Sequence, residues 1–200
     1  MGTAHQASQD DGVTVRLACQ GDELAWEALV RAYQTPVFRL AYLLLGGADE
    51  AEDVTQETFI RAYRSLERFD TTRPLRPWLF KIASNLASNQ RRSIGRQLAA
   101  LRRLFQPERS SIEFPVEVQG EQRQQAEELW RAVRALRVAD QQIIYLRYFL
   151  GLSVEEIADA MGLIQGTVKS RLHRALERLR NVIDKDFPAL RDWNDGRTNV

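Results

Sequence analysis

From Asp22 to Leu179 the apolar residues recur at intervals of three and four, and no stretch of any length alternates. A repeat near 3.6 marks amphipathic helices, and strict alternation marks half-buried strands, so the chain is predicted to be all-α. The pattern breaks at one place. Gln106 to Gly120 holds Pro107, Pro115, the Ser110-Ser111 pair and Gly120, the composition of a linker. With 200 residues to divide, two small helical domains joined by a flexible linker are expected.

Local signals mark the helices. Val13 and Leu17 suit a first, short helix. Asp22 is an N-cap candidate, followed by Leu24, Ala25, Ala28, Leu29 and Ala32 at helical spacing. Pro36 suits the first turn of a second helix with Val37, Leu40, Ala41, Leu44 and Leu45 inward, closed by Gly46-Gly47. Asp49 with Glu52 three residues on suggests a capping box for a third, with Val54, Phe59, Ala62, Tyr63 and Leu66 inward. Phe69 to Pro77 should be a loop. A helix from Trp78 to about Arg92 should follow, with Trp78, Leu79, Ile82, Ala83 and Leu86 inward. After the linker, helices are expected at 121–136 and from Asp140. Ser153 and Glu156 form a capping-box pair before a short helix ended by Gly162, and a long helix should start near Thr167. These signals divide the chain into an N-terminal segment (1–21), a first domain (22–93), a linker (94–125), a second domain (126–185) and a tail (186–200).

Composition excludes several classes. Hydrophobic residues make up 44% and charged residues 28%, a globular balance that a disordered chain would lack. The longest apolar run, Leu40 to Leu45, is far short of the roughly 20 residues of a membrane span. Residues 1–20 lack the apolar core of a secretory signal. Cys19 is the lone cysteine, and His5 and His173 are far apart, so no disulfide or His/Cys metal cluster is expected and a cytoplasmic compartment is favoured. With no glycine-rich phosphate loop and no Ser/His/Asp set, neither a cofactor nor an enzymatic activity is expected.

The net charge of +1 conceals strong segregation. Residues 22–70 carry ten acidic side chains against five basic ones, whereas 71–110 carry nine basic against one acidic. Residues 111–165 are acidic again, and 166–185 carry six basic side chains against two acidic. Basic blocks suit nucleic acid and acidic ones suit a basic protein partner, although solvated helix faces also produce charge runs. The short helix, glycine-bearing turn and basic second helix of 153–180 have the pattern of a helix-turn-helix, which an ordinary charged hairpin shares. Phe69, Trp78 and Phe80 lie among Arg73, Arg76, Lys81, Arg91 and Arg92, as a single-strand stacking track would require, although aromatics at this spacing also serve as core.

Two strings of residues resemble a known family. Residues 49–63 (Asp-Glu-Ala-Glu-Asp-Val-Thr-Gln-Glu-Thr-Phe-Ile-Arg-Ala-Tyr) and 78–85 (Trp-Leu-Phe-Lys-Ile-Ala-Ser-Asn) are similar to region 2 of the sigma-70 family. Residues 150–158 and 166–175 are similar to its region 4. Two such domains with only a short linker resemble the extracytoplasmic-function (ECF) group. The resemblance implies a promoter-specificity subunit that brings RNA polymerase to −10 and −35 elements. It implies core-polymerase binding, at the β′ clamp helices, through Asp49, Glu52, Asp53, Gln56, Glu57 and Arg61. It places −10 DNA at Phe69, Arg73, Arg76, Trp78, Lys81, Asn85, Asn89, Arg91 and Arg92, and −35 DNA at Thr167, Lys169, Ser170, Arg171, His173 and Arg174. Promoter DNA, the polymerase β flap and an anti-sigma factor are the further partners implied. Asn89 stands where relatives usually carry Asp, and Arg137-Val138-Ala139-Asp140 stands before the region 4 helices where relatives often have Leu-Pro. A stand-alone helix-turn-helix regulator with an N-terminal sensing domain is the alternative. Residues 49–85 discriminate, because a sensor needs a pocket or dimer face there.

Overall fold

The structure, a computed structural model, describes the backbone of residues 12–101 and 121–190 and the side chains of 12–93 and 126–190. All regular elements among the described residues are helical. They are α1 (12–19), α2 (Glu23–Leu45), α3 (Ala48–Ser65), α4 (Leu75–Leu101), α5 (Glu121–Arg134), α6 (Val138–Ile144), α7 (Val154–Met161) and α8 (Gln165–Asp186). The linker from Gln106 to Gly120 and the end of the tail from 191, which bears Trp193, lie outside the described residues; the start of the tail forms a 3₁₀ turn at Pro188–Leu190 with Leu190 buried.

Helix α2 is one continuous element where two were expected. Asp22 caps it, its carboxylate accepting from the Ala25 amide at 3.0 Å, and Gly46 ends it at φ 85°, a left-handed geometry that suits glycine. Pro36 lies in its interior rather than at a helix start. A proline there removes one helical hydrogen bond and crowds the carbonyl four residues back. Burial of Leu29, Tyr33, Val37, Leu40, Ala41 and Leu44 along the same helix offsets that cost, so tertiary packing overrides the local break.

Other expectations are corrected in the same way. Gly47, not Asp49, occupies the N-cap of α3, without a side-chain cap bond, and Asp49 and Glu50 sit in the first turn facing the positive helix end. Leu24, Tyr63, Val13 and Leu17 are exposed, while Val15, Ala18, Ala51, Thr58 and Phe80 take inward places. The expected loop to Pro77 is shorter. A 3₁₀ turn covers Leu66–Arg68, and α4 begins at Leu75, which puts Pro77 in its first turn where its missing amide costs nothing. Helix α8 begins two residues before Thr167.

Helices α2, α3 and α4 pack mutually, and α5 to α8 form a second group with a π-helical turn at Tyr145–Phe149 between α6 and α7. A linker of this composition leaves the domains free to move independently unless something clamps them. Instead the two groups share an interface: α4 lies against α7 and α2 against α6, and one apolar cluster runs from Val15 to Ala175. Three polar features stitch the seam. Arg76 donates to the Leu150 carbonyl, Gln142 Nε2 donates to Ser84 Oγ at 2.9 Å, and the half-buried Arg39 lies near the buried Tyr145. Burial pushes the Tyr145 phenol well above its ordinary pKa, against the pull of the Arg39 guanidinium.

Candidate polymerase and nucleic-acid interfaces

Three separate stripes carry the candidate residues. On α3, positions 49, 52, 53, 56, 57 and 61 share one face by the i, i+3, i+4 rule. Asp49, Glu52, Asp53, Gln56 and Arg61 are exposed, and Glu57 is half-buried. Glu57 Oε1 accepts from Arg61 Nε at 2.6 Å, and Glu52 accepts from Gln56 at 3.5 Å. Asp49 and Asp53 are left open toward solvent. The exposed Ile60 and Tyr63 border this stripe, with Tyr63 packed on Trp26 at 5.3 Å between ring centroids and Trp26 on Phe59 at 6.2 Å. Neither Ile60 nor Tyr63 was singled out from sequence, because helical spacing alone assigned Tyr63 to the core.

The second stripe lies on α4. Lys81, Asn85, Asn89 and Arg92 are all exposed, at spacings of four, four and three. Asn89 Oδ1 accepts from Arg92 Nη2 at 3.2 Å, and Arg92 Nε donates to the Ser88 carbonyl at 3.2 Å, so the end of the stripe is already ordered. At about 100° per residue, Arg91 falls well away from this line, toward the side of Ser84. Phe80 is fully buried, which resolves the choice between core and stacking for that ring in favour of core. Trp78 and Phe69 are half-buried and tilt together at 4.7 Å. Phe69 opens the loop at 69–74, where Asp70 accepts from the Thr72 amide at 3.0 Å and from its hydroxyl at 2.6 Å. These two bonds hold the Asp70 carboxyl below the ordinary range, with Arg73 adding a smaller pull. Arg73 is exposed at the loop, whereas Arg76 turns away from it and is engaged by Leu150.

The third site is the α7–α8 pair. Ser153 and Glu156 close the capping box in both directions, at 3.1 and 2.7 Å, and Gly162 takes φ 64° to make the turn. Val168 and Ala175 bury the inner face of α8. Lys169, Ser170, His173 and Arg174 are exposed, and Thr167 and Arg171 are half-buried. Arg174 Nε donates to the Ser170 carbonyl at 3.1 Å, and His173 lies 3.9 Å from Glu177. Ile164, 76% exposed immediately before α8, was not singled out from sequence, and Asp140, expected to open a helix, instead lies in the first turn of α6, which begins at Val138. Arg137, Asp140, Arg171, Arg174 and Arg178 line an open concavity of about 360 Å³ beside the helix. Among the described residues no group of three or more His, Cys, Asp or Glu side chains is placed to hold a metal, and no helix is long and apolar enough to cross a membrane.

Comparison with known proteins agrees with the two helical groups. Residues 29–97 match the Sigma-70 region 2 family model, and residues 126–179 match Sigma-70, region 4. The chain belongs to the sigma-70 family, in its ECF group of RNA polymerase sigma factors. It is 36% identical over 169 residues to the ECF RNA polymerase sigma factor SigE of Mycolicibacterium smegmatis, covering 82% of this chain and 65% of that protein. It is 32% identical over 171 residues to the ECF sigma factor SigW of Bacillus subtilis, covering 82% of this chain and 91% of that one. Its fold is similar to that of the sigma factor RpoE in a co-crystal structure with the anti-sigma factor NepR from Bartonella quintana, with a TM-score of 0.68, 26% identity, and 80% and 97% of the two chains covered.

Proposed function

We propose that this chain joins core RNA polymerase and directs it to promoters that carry −10 and −35 elements, acting as an initiation factor rather than an enzyme. The observation that carries this assignment is the presence, on three helices of one chain, of three exposed stripes of different chemistry: acidic on α3, Lys-Asn-Asn-Arg on α4, and basic on α8. The α3 stripe, bordered by Ile60 and Tyr63, suits a basic helical partner, the polymerase β′ clamp helices. The α4 stripe, with the Phe69–Trp78 pair and Arg73, suits a melted −10 strand that needs both cations and ring faces. The start of α8 suits the major groove of a −35 duplex, with Lys169, Ser170, Arg171, His173 and Arg174 as the contacting residues. The second domain would also meet the β flap. RpoE of Bartonella quintana was solved with an anti-sigma factor, which supports an inhibitor of that kind here, and the work would take place in the cytoplasm. Run-off transcription with core polymerase tests the function. Promoter-dependent transcripts should appear only when this chain is added, and their absence across a library of genomic promoter fragments would overturn it.

A further inference from the structure

Arginines 171, 174 and 178 follow one another on α8 at spacings of three and four, so all three lie on one side of a helix assigned to DNA. Their sequence positions give no reason to treat them differently. Their surroundings do. Arg178 Nη1 lies 2.8 and 2.7 Å from the two oxygens of Asp140, a residue of α6 and 38 positions away. Arg137 Nε lies 3.4 Å from the same carboxylate. The Asp140 side chain is 8% exposed, against 38% for Arg178 and 70% for Arg137. Among the described residues, no carboxylate lies within ion-pair distance of Arg171 or Arg174. All of these groups line the same concavity. The other acid near this face of α8, Glu177, is well exposed and stands 3.9 Å from His173.

A carboxylate this deep has lost most of its water, and a guanidinium that meets both of its oxygens is held by charge-assisted bonds. Such a pair is screened by salt far less than an exposed one. Arg178 therefore has its charge matched inside the protein, whereas Arg171 and Arg174 have theirs unmatched at the rim. We propose that Asp140 is a positioning residue for DNA binding. It withholds Arg178, so that of the three arginines on this side of α8 only Arg171 and Arg174 offer their charges to a phosphate backbone. Sequence-independent affinity comes from the number of phosphates neutralised, so one buried acid sets the non-specific background against which the start of α8 reads bases. The inference rests on the assignment of α8 to duplex DNA.

The test uses the full chain and a mixed-sequence DNA duplex, titrated from low salt upward. Each phosphate neutralised adds about 0.9 to the slope of log affinity against log salt. Asp140→Asn frees Arg178, which is exposed enough to reach solvent once released. The slope should steepen by about 0.9, so that a fourfold rise in salt costs the variant about 3.5-fold more affinity than wild type, and affinity at low salt should rise. A purely structural acid gives the opposite signs: affinity falls with the melting temperature and the slope does not steepen. Asp140→Asn combined with Arg178→Gln removes the pair together and leaves the net charge unchanged. Its slope should equal that of wild type. A double-variant slope shallower by about one would show Arg178 to be a phosphate contact and overturn the proposal, and this variant decides the matter even if the single one does not fold. Wild type that binds with a clear salt slope, while Asp140→Asn binds with the same slope, sinks this inference alone. Wild type that shows no salt-dependent duplex binding sinks the assignment of α8 as well.

Discussion

At the scale of single residues, the acidic stripe divides into paired and open charges. Glu57 is already matched by Arg61, whereas Asp53 has its carboxylate free for a partner's cations. Replacing both, Asp53→Lys with Glu57→Lys, should abolish co-purification with core polymerase. Loss of a charge partner at an interface costs roughly 2–5 kcal/mol, and two reversals add repulsion. The helical circular dichroism should be unchanged, because the inner face of α3 is untouched. Retained polymerase binding would remove α3 from the interface. Asp70 provides a pH-dependent companion. Its folded pKa is depressed, so the Thr72 bonds contribute above the unfolded value and are lost as pH falls through the folded one. In an acid titration the Thr72 amide shift should move with a midpoint below the ordinary aspartate value of about 3.9. A midpoint at or above that value would show that the loop turn is not held by the carboxylate.

At the scale of elements, what was legible in the sequence was whatever chemistry acts within four residues. The Asp22 cap, the Ser153–Glu156 box and the turns at Gly46 and Gly162 all depend on near neighbours, and all are present as expected. The helix signal at Pro36 was equally local and misleading, since its outcome depended on the burial of Val37 and Leu40 against other helices. Helical period identified α3 and α4, yet it left open which flank of the apolar stripe on α3 faces inward, and Tyr63 lies exposed where it was expected inside for that reason. The candidate stripes were legible because exposed positions follow once the core is known. The Asp140–Arg178 pair was not, because nothing local joins residues 38 apart. Pro36 also supports a quantitative expectation. Pro36→Ala restores the missing amide and removes the crowding, and should stabilise the protein by on the order of 1–3 kcal/mol in urea unfolding. A loss of stability would mean that the ring's packing outweighs the helical bond.

At the scale of the whole molecule, the seam between the two helical groups is the dominant feature. Its two hydrogen bonds join residues 58 and 74 apart in sequence, which is why no pattern within a segment announced it. Ser84 is buried there beside Gln142, so Ser84→Arg should wedge the groups apart. Distances between the groups can be read from a dye pair attached to thiols introduced by Arg64→Cys and Lys185→Cys in a Cys19→Ser background. Without the wedge the labelled protein should give one narrow distance distribution, and with it a broad, longer one. Equal distributions would mean that the seam does not depend on this contact.

The Arg76 bond has a consequence of its own. Were Arg76 to contact DNA as the family resemblance implies, the strand would compete with the Leu150 carbonyl for the Nη2 donor that the carbonyl now takes. Competition of this kind is reciprocal: whatever draws Arg76 away from Leu150 weakens the seam, and whatever parts the seam returns Arg76 to solvent, by the same factor in both directions. On that reading the arginine would act as an exchange point, through which the second domain's departure and the first domain's hold on its ligand are a single equilibrium observed from two ends.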